Sequence, residues 1–303
     1  MNFEKDRSSA GVIYGILAFA FWGISPLYFK QLISIPPLEI LAHRMVWSFV
    51  LLGIIIISSS RWPLLLDALK NRKERYILFI TASLLSVNWF MFIWSINNEK
   101  LLQASLGYFI NPLVSISLGV IILRERLTKW STISVFLALV GVFFQVIRGN
   151  GIPWVALILA FSFAIYGLLR KTAKTNSVIG LTAETIFMAP VTMAYLIYLV
   201  YSGANHFGTV SWKITILLLL AGFVTTIPLI WFNKSARRIK LSSIGFIQYI
   251  APSLQFVMAI IYGERFGLNQ AISFGLIWTA LLIYTIDSIK NRSQSNSRPR
   301  HCQ

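Results

Sequence analysis

Residues 106–127 read LGYFINPLVSISLGVIILRERL, an apolar run that carries Asn111 and Pro112 at its centre and ends in charged residues. A helix needs about 20 apolar residues to cross a bilayer. Within lipid, a proline frees a backbone carbonyl and an asparagine needs hydrogen-bond partners. Both are tolerated where neighbouring helices or a cavity satisfy them, so this stretch predicts a helix packed inside a bundle.

The rest of the chain has the same apolar character. Of its 303 residues, 56% are hydrophobic and 12% are charged, and the mean hydropathy is +0.71. Soluble domains carry about 25% charged residues, so the composition indicates an integral membrane protein. Apolar runs between charged breaks predict ten transmembrane helices. They lie near residues 11–29, 38–58, 77–96, 102–123, 130–147, 152–169, 178–200, 213–232, 241–262 and 268–287.

The net charge is +17, and the positions of the basic residues along the chain indicate the orientation of the protein in the membrane. If residue 1 is cytoplasmic, most of the 27 Lys and Arg residues lie in cytoplasmic segments, and Arg44 lies inside a span. The basic residues on the other side are Lys30, Lys100, Arg148, Lys213 and Arg265. The bias follows the positive-inside rule and predicts an N-in/C-in orientation. Nucleic-acid binding would need a clustered basic face, so no nucleic-acid partner is expected.

The chain ends and the cysteine content exclude several other features. The first apolar run lacks a small-residue cleavage site, which predicts a retained helix rather than a signal peptide. Residues 288–303 are polar and rich in Ser and Arg, which predicts a disordered cytoplasmic tail. The single cysteine, Cys302, lies in that tail, so no disulfide framework and no metal cluster are expected.

The opening stretch returns in the second half of the chain. Residues 244–266 read IGFIQYIAPSLQFVMAIIYGERF and repeat its Gly-aromatic start, its mid-helix proline and its Glu-Arg ending. Two further pairs match in the same order: AFAFWGISPLYFK (18–30) with AFSFAIYGLLRK (160–171), and LEILAHR (38–44) with IGLTAET (179–185). Any two apolar helices look somewhat alike, but co-linear matches in three places favour an internal repeat.

Each copy of the repeat contains five predicted helices. Because five is odd, the second copy enters the membrane upside down relative to the first. The predicted fold is therefore an all-α integral membrane protein with two inverted five-helix repeats, residues 1–147 and 152–287. Inverted repeats are the recurrent plan of secondary transporters, since two like halves can rock about a site at the midplane.

Two charged residues within the spans are the first candidates for a substrate-binding site. A charge near the bilayer centre costs at least about 2.5–3.5 kcal/mol. Arg44 can bind an anionic group, pair with a gate partner, or snorkel to the outer surface. Glu184 can bind a cationic substrate, carry a coupling proton, or pair with Arg or Lys across the inner gate. His43 lies about 100° around the helix from Arg44, so both need not face the cavity.

The remaining candidates form an aromatic and mildly polar set. A deep Trp or Tyr packs as core or lines a cavity, and each one alone is more often core. Together they favour an amphipathic organic solute over an inorganic ion. Besides His43, Arg44 and Glu184, the set contains Trp22, Asn88, Trp89, Tyr108, Asn111, Tyr166, Gln248 and Tyr249. Helix kinks are expected at Pro26, Pro112, Pro190, Pro228 and Pro252.

The segment GVIYG, residues 11–15, has the small-xxx-small pattern that lets helices approach closely. We expect it to serve packing within the chain, with a homodimer contact as the alternative. The sequence contains no Gly-rich phosphate loop, so direct ATP drive is unsupported and no cofactor is expected. It also lacks His-Glu-x-x-His and paired intramembrane carboxylates, so no catalytic or metal-binding residue is assigned.

Six segments are long enough to compare with known families: FWGISPLYFK, EILAHRMVWSF, NWFMFIWSINN, ASLGYFINPLVSISLG, AFSFAIYGLLRK and IGFIQYIAP. Together they resemble the RarD-like proteins, which are EamA-type members of the drug/metabolite transporter superfamily. The resemblance covers roughly residues 8–290. It implies ten helices in two inverted repeats, a bacterial inner-membrane location, and export or permeation of small organic solutes. It specifies neither the substrate nor the binding residues.

We therefore expect a multi-pass secondary transporter of small organic metabolites or drugs that works by alternating access. Its expected partners are the lipid bilayer and a small organic solute, with proton coupling as an open question. A passive channel and a non-transporting membrane scaffold are the main alternatives. A membrane-embedded enzyme is the least favoured one.

Overall fold

The computed structural model describes residues 2–97, 101–146, 153–261 and 268–297, and within these ranges every regular element is a helix. The helices are α1 (Asn2–Ile24), α2 (Pro26–Lys30), α3 (Pro37–Ser58), α4 (Trp62–Lys70), α5 (Arg72–Asn97), α6 (Leu101–Ile121), α7 (Lys129–Val146), α8 (Trp154–Thr172), α9 (Ser177–Tyr201), α10 (Trp212–Ala236), α11 (Leu241–Gln248), α12 (Ile250–Ile261) and α13 (Leu268–Ser297). Each predicted span overlaps one or two of them.

Eight helical segments in these ranges are long and apolar enough to cross a membrane. They are Ser8–Lys30, Pro37–Ser58, Arg72–Phe92, Trp154–Thr172, Ser177–Tyr201, Trp212–Ala236, Leu241–Met258 and Ala271–Asn291. Two further apolar helices, Leu106–Ile121 and Lys129–Phe143, are shorter. Apolar side chains such as Ile54, Phe136 and Leu282 face outward from the bundle. The protein is therefore an all-α, multi-pass membrane protein.

Prolines break two of the predicted spans into separate helices. Pro26 opens α2, and the Ser25 hydroxyl donates at 2.9 Å to the carbonyl of Trp22, which the proline leaves without its usual donor. Similarly, α11 ends at Gln248, four residues before Pro252. Proline has no N–H to donate to the carbonyl of Gln248. The other three proline-containing helices continue as α-helix through Pro112, Pro190 and Pro228.

Helix α4 is an element that the sequence reasoning did not predict. It lies in the segment between the second and third predicted spans. Its Leu65 and Ala68 are buried against Ile56 and neighbouring apolar residues, whereas Trp62 at its start is exposed. One buried face and an exposed tryptophan are typical of a helix that lies at a membrane surface.

One end of the bundle is called the basic end below. Here α3, α6, α8 and α10 end, and α5, α9 and α11 begin. Two carboxylates join helices across it. Glu74 accepts the backbone N–H groups of Lys174 and Thr175 at 3.2 and 3.3 Å. Glu125, just beyond α6, accepts the first two backbone N–H groups of α11 at 2.7 and 2.9 Å.

At the opposite end, the loop before α10 folds over the start of α3. The fully buried Glu39 accepts the backbone N–H of His206 at 2.8 Å and lies 2.7 Å from its ring Nδ1. The next residue, Phe207, stacks on His43 with the ring centroids 4.9 Å apart. Both ends of the bundle are therefore closed by contacts between residues that are distant in the chain.

The GVIYG segment packs within the chain, against the end of α10 and the residues after it. A Cβ added at Gly11 would lie 2.6 Å from the Cβ of Arg238, and one at Gly15 would lie 2.9 Å from Oγ of Ser235. At the other chain end, α13 continues to Ser297, into the segment expected to be a disordered tail. Residues 298–303, and with them Cys302, lie outside the described residues.

Candidate functional site

Arg44 points into the bundle. Its Nε–H donates to the Thr225 hydroxyl on α10 at 2.9 Å. The guanidinium carbon lies 4.5 Å from the ring centroid of Trp89 on α5 and 5.1 Å from that of Phe29 on α2. Tyr108 on α6 is 36% exposed and lies in the neighbourhood of the same guanidinium. These five residues define the Arg44 chamber, in which one cation is surrounded by aromatic rings.

Glu184 on α9 lies in a second polar group, nearer the basic end. It is buried, and its Oε1 accepts a hydrogen bond from the Thr81 hydroxyl at 2.7 Å. The Tyr166 hydroxyl donates to Oε2 at 3.4 Å and accepts from the Asn233 side chain at 3.0 Å. With Arg170, these residues form the Glu184 network, which connects α5, α8, α9 and α10.

Arg170 completes this network as the partner of the carboxylate. It is fully buried, and its Nε lies 3.5 Å from Glu184 Oε1, an ion pair by distance in which the N–H is not aligned for a hydrogen bond. Its terminal nitrogens donate to the Thr175 hydroxyl and the Asn176 carbonyl at 3.4 and 3.3 Å. Gly180 provides the space, because a Cβ there would lie 2.1 Å from Arg170 Nη1.

A small cavity lies between the Arg44 chamber and the Glu184 network. Its volume is about 20 Å³, room for about one water molecule. Trp89 and Thr225 line it on the side of the Arg44 chamber, and Glu184 lines it on the side of the network. A small space lined by residues of α3, α5, α9 and α10 thus lies between the two charged groups.

A larger cavity, of about 720 Å³, lies between α6, α7 and α8. Its lining is apolar except for Ser117, and many of the lining side chains, such as Phe143 and Ile121, are exposed at the surface of the bundle. This groove therefore suits hydrocarbon and provides no group that would orient a polar solute.

Comparison with known proteins identifies the family. Residues 9–147 match the EamA-like transporter family. Protein RarD of Escherichia coli (strain K12) is 40% identical to this chain over 294 residues, which cover 97% of this chain and 99% of that protein. This chain belongs to the RarD-like EamA transporters. An uncharacterized transporter of Vibrio cholerae serotype O1 is 44% identical over 291 residues, 96% of each chain.

A solved crystal structure supports the same fold for this EamA-family chain. It superposes with a TM-score of 0.69 and covers 93% of this chain and 98% of its own length. The sequence identity is 16%, so the likeness concerns the fold alone. The family resemblance predicted from the sequence is confirmed, and the protein is a membrane transporter of the drug/metabolite type.

The structure of this EamA transporter brings some of the candidate residues together and separates others. Arg44, Trp89 and Tyr108 meet in the Arg44 chamber, and Tyr166 and Glu184 meet in the Glu184 network. The other candidates make contacts away from the central cavity. This division was not apparent from the sequence, because it depends on which face of each helix turns inward.

Asn111 and Gln248 lie where α6 crosses α11. The Gln248 amide donates to the Ser115 hydroxyl at 3.2 Å, and that hydroxyl lies 3.4 Å from Asn111 Oδ1. The backbones approach closely here, because a Cβ at Gly245 would lie 2.7 Å from the Pro112 carbonyl oxygen. The two stretches that match in sequence, 106–127 and 244–266, therefore pack on each other, and Gln248 joins them through Ser115.

The remaining candidates have structural partners. Asn88 donates to a carbonyl and a hydroxyl of α8 at 2.8 and 2.9 Å. Tyr249 is fully buried, and Trp22 packs in an aromatic cluster between α1, α8 and α10. His43 Nδ1 accepts from the Trp47 indole at 3.2 Å, while the buried Nε2 has no hydrogen-bond partner in the part of the chain that the structure describes.

Sequence reasoning missed five residues of the site: Phe29, Thr81, Arg170, Thr225 and Asn233. The available signal for Thr81 and Thr225 was a polar side chain inside an apolar run, whereas Asn233 lies one residue beyond the predicted eighth span. Arg170 was placed just outside the sixth span, which was predicted to stop at residue 169, whereas α8 continues to Thr172 and buries it. Within the described ranges, no group of three His, Cys, Asp or Glu residues could hold a metal ion.

Proposed function

We propose that this EamA protein is a secondary-active permease of the bacterial inner membrane, which moves small organic solutes by alternating access. One observation carries the proposal. Glu184 from the second predicted repeat lines a small cavity between the helices, and Arg44 from the first borders it through Trp89 and Thr225, which line it. Charges are costly within a membrane and are typical of substrate and ion pathways.

The helix packing supports two inverted repeats. Helices that correspond in the two predicted copies pack on each other: α3 on α9, α6 on α11, and α7 on α13. In the predicted copies α1 corresponds to α8, and α5 corresponds to α10. The contact of α5 with α8 is therefore matched by the contact of α10 with α1. A two-fold relation between the halves would generate this pattern, and it would allow one half to rock against the other.

The positive-inside rule assigns the basic end to the cytoplasm. Contacts across this end are dense. The Lys171 ammonium donates to the carbonyls of Ala236 and Ile239, and the Arg237 guanidinium donates to the carbonyls of Ala173 and Thr175. The contacts that join the two predicted halves here are those of Glu74 and Glu125 and the Thr81–Glu184 hydrogen bond, and they act as a closed inner gate. The Lys171, Arg237 and Arg170–Glu184 contacts hold α8, α9 and α10 together within the second half.

In the alternate state, the inner gate opens and the opposite end closes. Opening requires the second half to release Glu74 and Glu125, whose hydrogen-bond donors are backbone N–H groups that can donate to water instead. The Glu184 carboxylate would then exchange Arg170 for water, a proton or a solute cation. Opening of the basic end is thereby coupled to the exchange of partners at Glu184, which lines the central cavity.

A solute screen tests the proposal most directly. Purified protein is screened by thermal shift, and stabilising solutes are followed into proteoliposomes with and without a pH gradient. Saturable flux that exchanges with internal solute supports the permease. Conductance without saturation would indicate a channel, product turnover in detergent an enzyme, and the absence of both binding and flux a scaffold. Flux that depends on the pH gradient would establish proton coupling.

Cysteine accessibility tests alternating access separately. With Cys302→Ser removing the native thiol, Thr185→Cys places one thiol in the lining of the central cavity. A membrane-impermeant thiol reagent should react from either side of the membrane, and solute should change the two rates in opposite directions. Parallel changes in the two rates would contradict alternating access. Thr172→Cys, exposed at the basic end, serves as the one-sided control.

A further inference from the structure

Arg44 and Arg170, both on helices, have different surroundings. Arg170 is fully buried, and its guanidinium has a carboxylate, a hydroxyl and a carbonyl as partners. Arg44 is only half-buried and has one hydrogen bond, from Nε to Thr225. A guanidinium carries five N–H donors in a rigid fork. The four donors on the terminal nitrogens of Arg44 have no acceptor among the described residues.

No carboxylate within the described ranges lies at ion-pair distance from Arg44, so its charge is not neutralised there by the protein. The rings of Trp89 and Phe29 offset part of the cost through cation–π contacts. They also fix the guanidinium in place, as does Thr225 on the Nε side. The fork is therefore held in one orientation, with the N–H groups of its outer edge not bonded to any described residue.

A fork of this kind matches a carboxylate, which accepts two parallel N–H···O bonds. A phosphate monoester would bring two negative charges, which a single guanidinium does not balance. The chamber walls define the rest of the ligand, because aromatic side chains favour a flat apolar body. Tyr108, partly exposed beside the guanidinium, adds a hydroxyl that can bond a polar substituent.

We propose that the Arg44 chamber binds the carboxylate of a small organic monoanion with an aromatic or other flat apolar body. The inference rests on the proposed transport function and narrows it to a substrate class. Arg44 supplies the charge and the bidentate fork, Thr225 orients it, and Trp89 and Phe29 form the apolar walls. Because the central cavity holds only about one water, the solute enters the chamber first and the cavity opens beneath it.

Matched acid and amide probes test the chemistry of the site. Benzoate is compared with benzamide, and indole-3-acetate with indole-3-acetamide, by thermal shift on the full chain. Each pair keeps its shape and differs in charge. We expect at least one acid to stabilise the protein at about tenfold lower concentration than its amide, as a charge-assisted hydrogen-bond pair requires. Equal shifts for acid and amide, or none from either acid, would overturn the inference.

Substitutions locate the binding to Arg44. Arg44→Gln should remove the preference for the acid, and Arg44→Lys should keep part of it, because lysine retains the charge but not the fork. The matched control is Arg61→Gln, which removes the same charge from an exposed position before α4. If Arg44→Gln does not fold, Thr225→Val replaces it: the charge stays, its orientation is lost, and acid binding should still weaken. An acid preference that survives these changes at Arg44 and Thr225 would contradict the site.

Flux measurements separate this inference from the transport function. If the acids are carried equally by the wild type and Arg44→Gln, the permease stands and the anion site falls. If acids bind through Arg44 but are never exchanged across proteoliposomes, the anion site stands and the permease falls. Saturable exchange of the acid that is lost in Arg44→Gln supports both.

Discussion

Arg170 and Glu184 form an ion pair across two helices of the bundle, with Nε and Oε1 3.5 Å apart and the side chains 0% and 4% exposed. Such a pair contributes little net stability, since the cost of desolvating both charges offsets their attraction. Removing one partner is expensive, because the other charge is left buried and alone. A contact with these properties is suited to a gate, in which both partners are released together.

Glu184→Gln should destabilise the protein by about 3–5 kcal/mol, the usual cost of leaving one charge of a buried pair uncompensated. The unfolding free energy in detergent, measured by denaturant titration, checks this value. Asp67→Asn is the control, because it removes an exposed carboxylate on α4. A loss no larger than that of the control would mean that Glu184 does not compensate Arg170.

Replacing both partners separates gating from stability. The double variant Arg170→Met/Glu184→Met should be close to the wild type in unfolding free energy, because apolar residues of similar volume often replace a buried ion pair without loss. Transport should nevertheless fall, since the pair can no longer exchange partners. Initial rates of solute uptake into proteoliposomes measure this. Normal uptake by the double variant would contradict a gating role.

Gly180→Ala should displace the Arg170 guanidinium, whose Nη1 would lie 2.1 Å from the new Cβ. Alanine normally stabilises a helix interior relative to glycine by about 1 kcal/mol. Here overpacking should reverse that gain and cost about 1–3 kcal/mol. The loss should disappear in the Arg170→Met/Glu184→Met background, where no guanidinium remains. A loss that persists there would assign the effect to the backbone instead.

The positions of the helices could be predicted from the sequence because a spanning helix requires a long apolar run. The two breaks follow the physics of proline less directly. Pro26 and Pro252 were predicted to be kinks. Whether a proline bends or ends a helix depends on which group donates a hydrogen bond to the carbonyl four residues before it. Ser25 does so at the first break, whereas α6 continues through Pro112 inside a close helix crossing.

The candidate site was predicted only in part, for a related reason. Charge in an apolar run singled out Arg44 and Glu184, since any such charge requires a compensating environment. No residue near Arg170 in the sequence indicated that its side chain faces inward, because a residue in the last turn of a helix can face either the bundle or its outside. The glycine at position 180 decides it, by leaving room on the neighbouring helix. Contacts of this kind belong to pairs of helices and cannot be predicted from one segment.

Gly222→Ala should separate α10 from α3. A Cβ at Gly222 would lie 2.5 Å from the carbonyl carbon of Trp47 and 2.8 Å from the amide nitrogen of Ser48. Backbone atoms cannot move aside as a side chain does, so we expect a cost of about 1–3 kcal/mol in unfolding free energy. Gly53→Ala in α3 is the matched control, because no atom lies within 4 Å of its added Cβ. Equal stability of the two variants would contradict the close packing of α3 and α10.

Glu125→Ala should open the basic end. Its carboxylate accepts the N–H of Leu241 at 2.7 Å and both the N–H and the hydroxyl of Ser242 at 2.9 and 2.7 Å. It therefore caps α11 from the segment after α6 and places a negative charge at the positive end of the helix dipole. Loss of these bonds, at about 1 kcal/mol or more each, should favour the state in which the two halves separate.

The Thr185→Cys reporter in the Cys302→Ser background measures that opening. Reaction with an impermeant thiol reagent applied at the basic end should accelerate about tenfold in Glu125→Ala, as a shift of about 1.4 kcal/mol toward the open state requires. Glu125→Gln keeps one acceptor oxygen and loses the charge, so its rate should lie between those of the wild type and Glu125→Ala. An unchanged or slower reaction in Glu125→Ala would mean that α6 and α11 stay together when this end opens, and that the gate lies deeper, at Arg170 and Glu184.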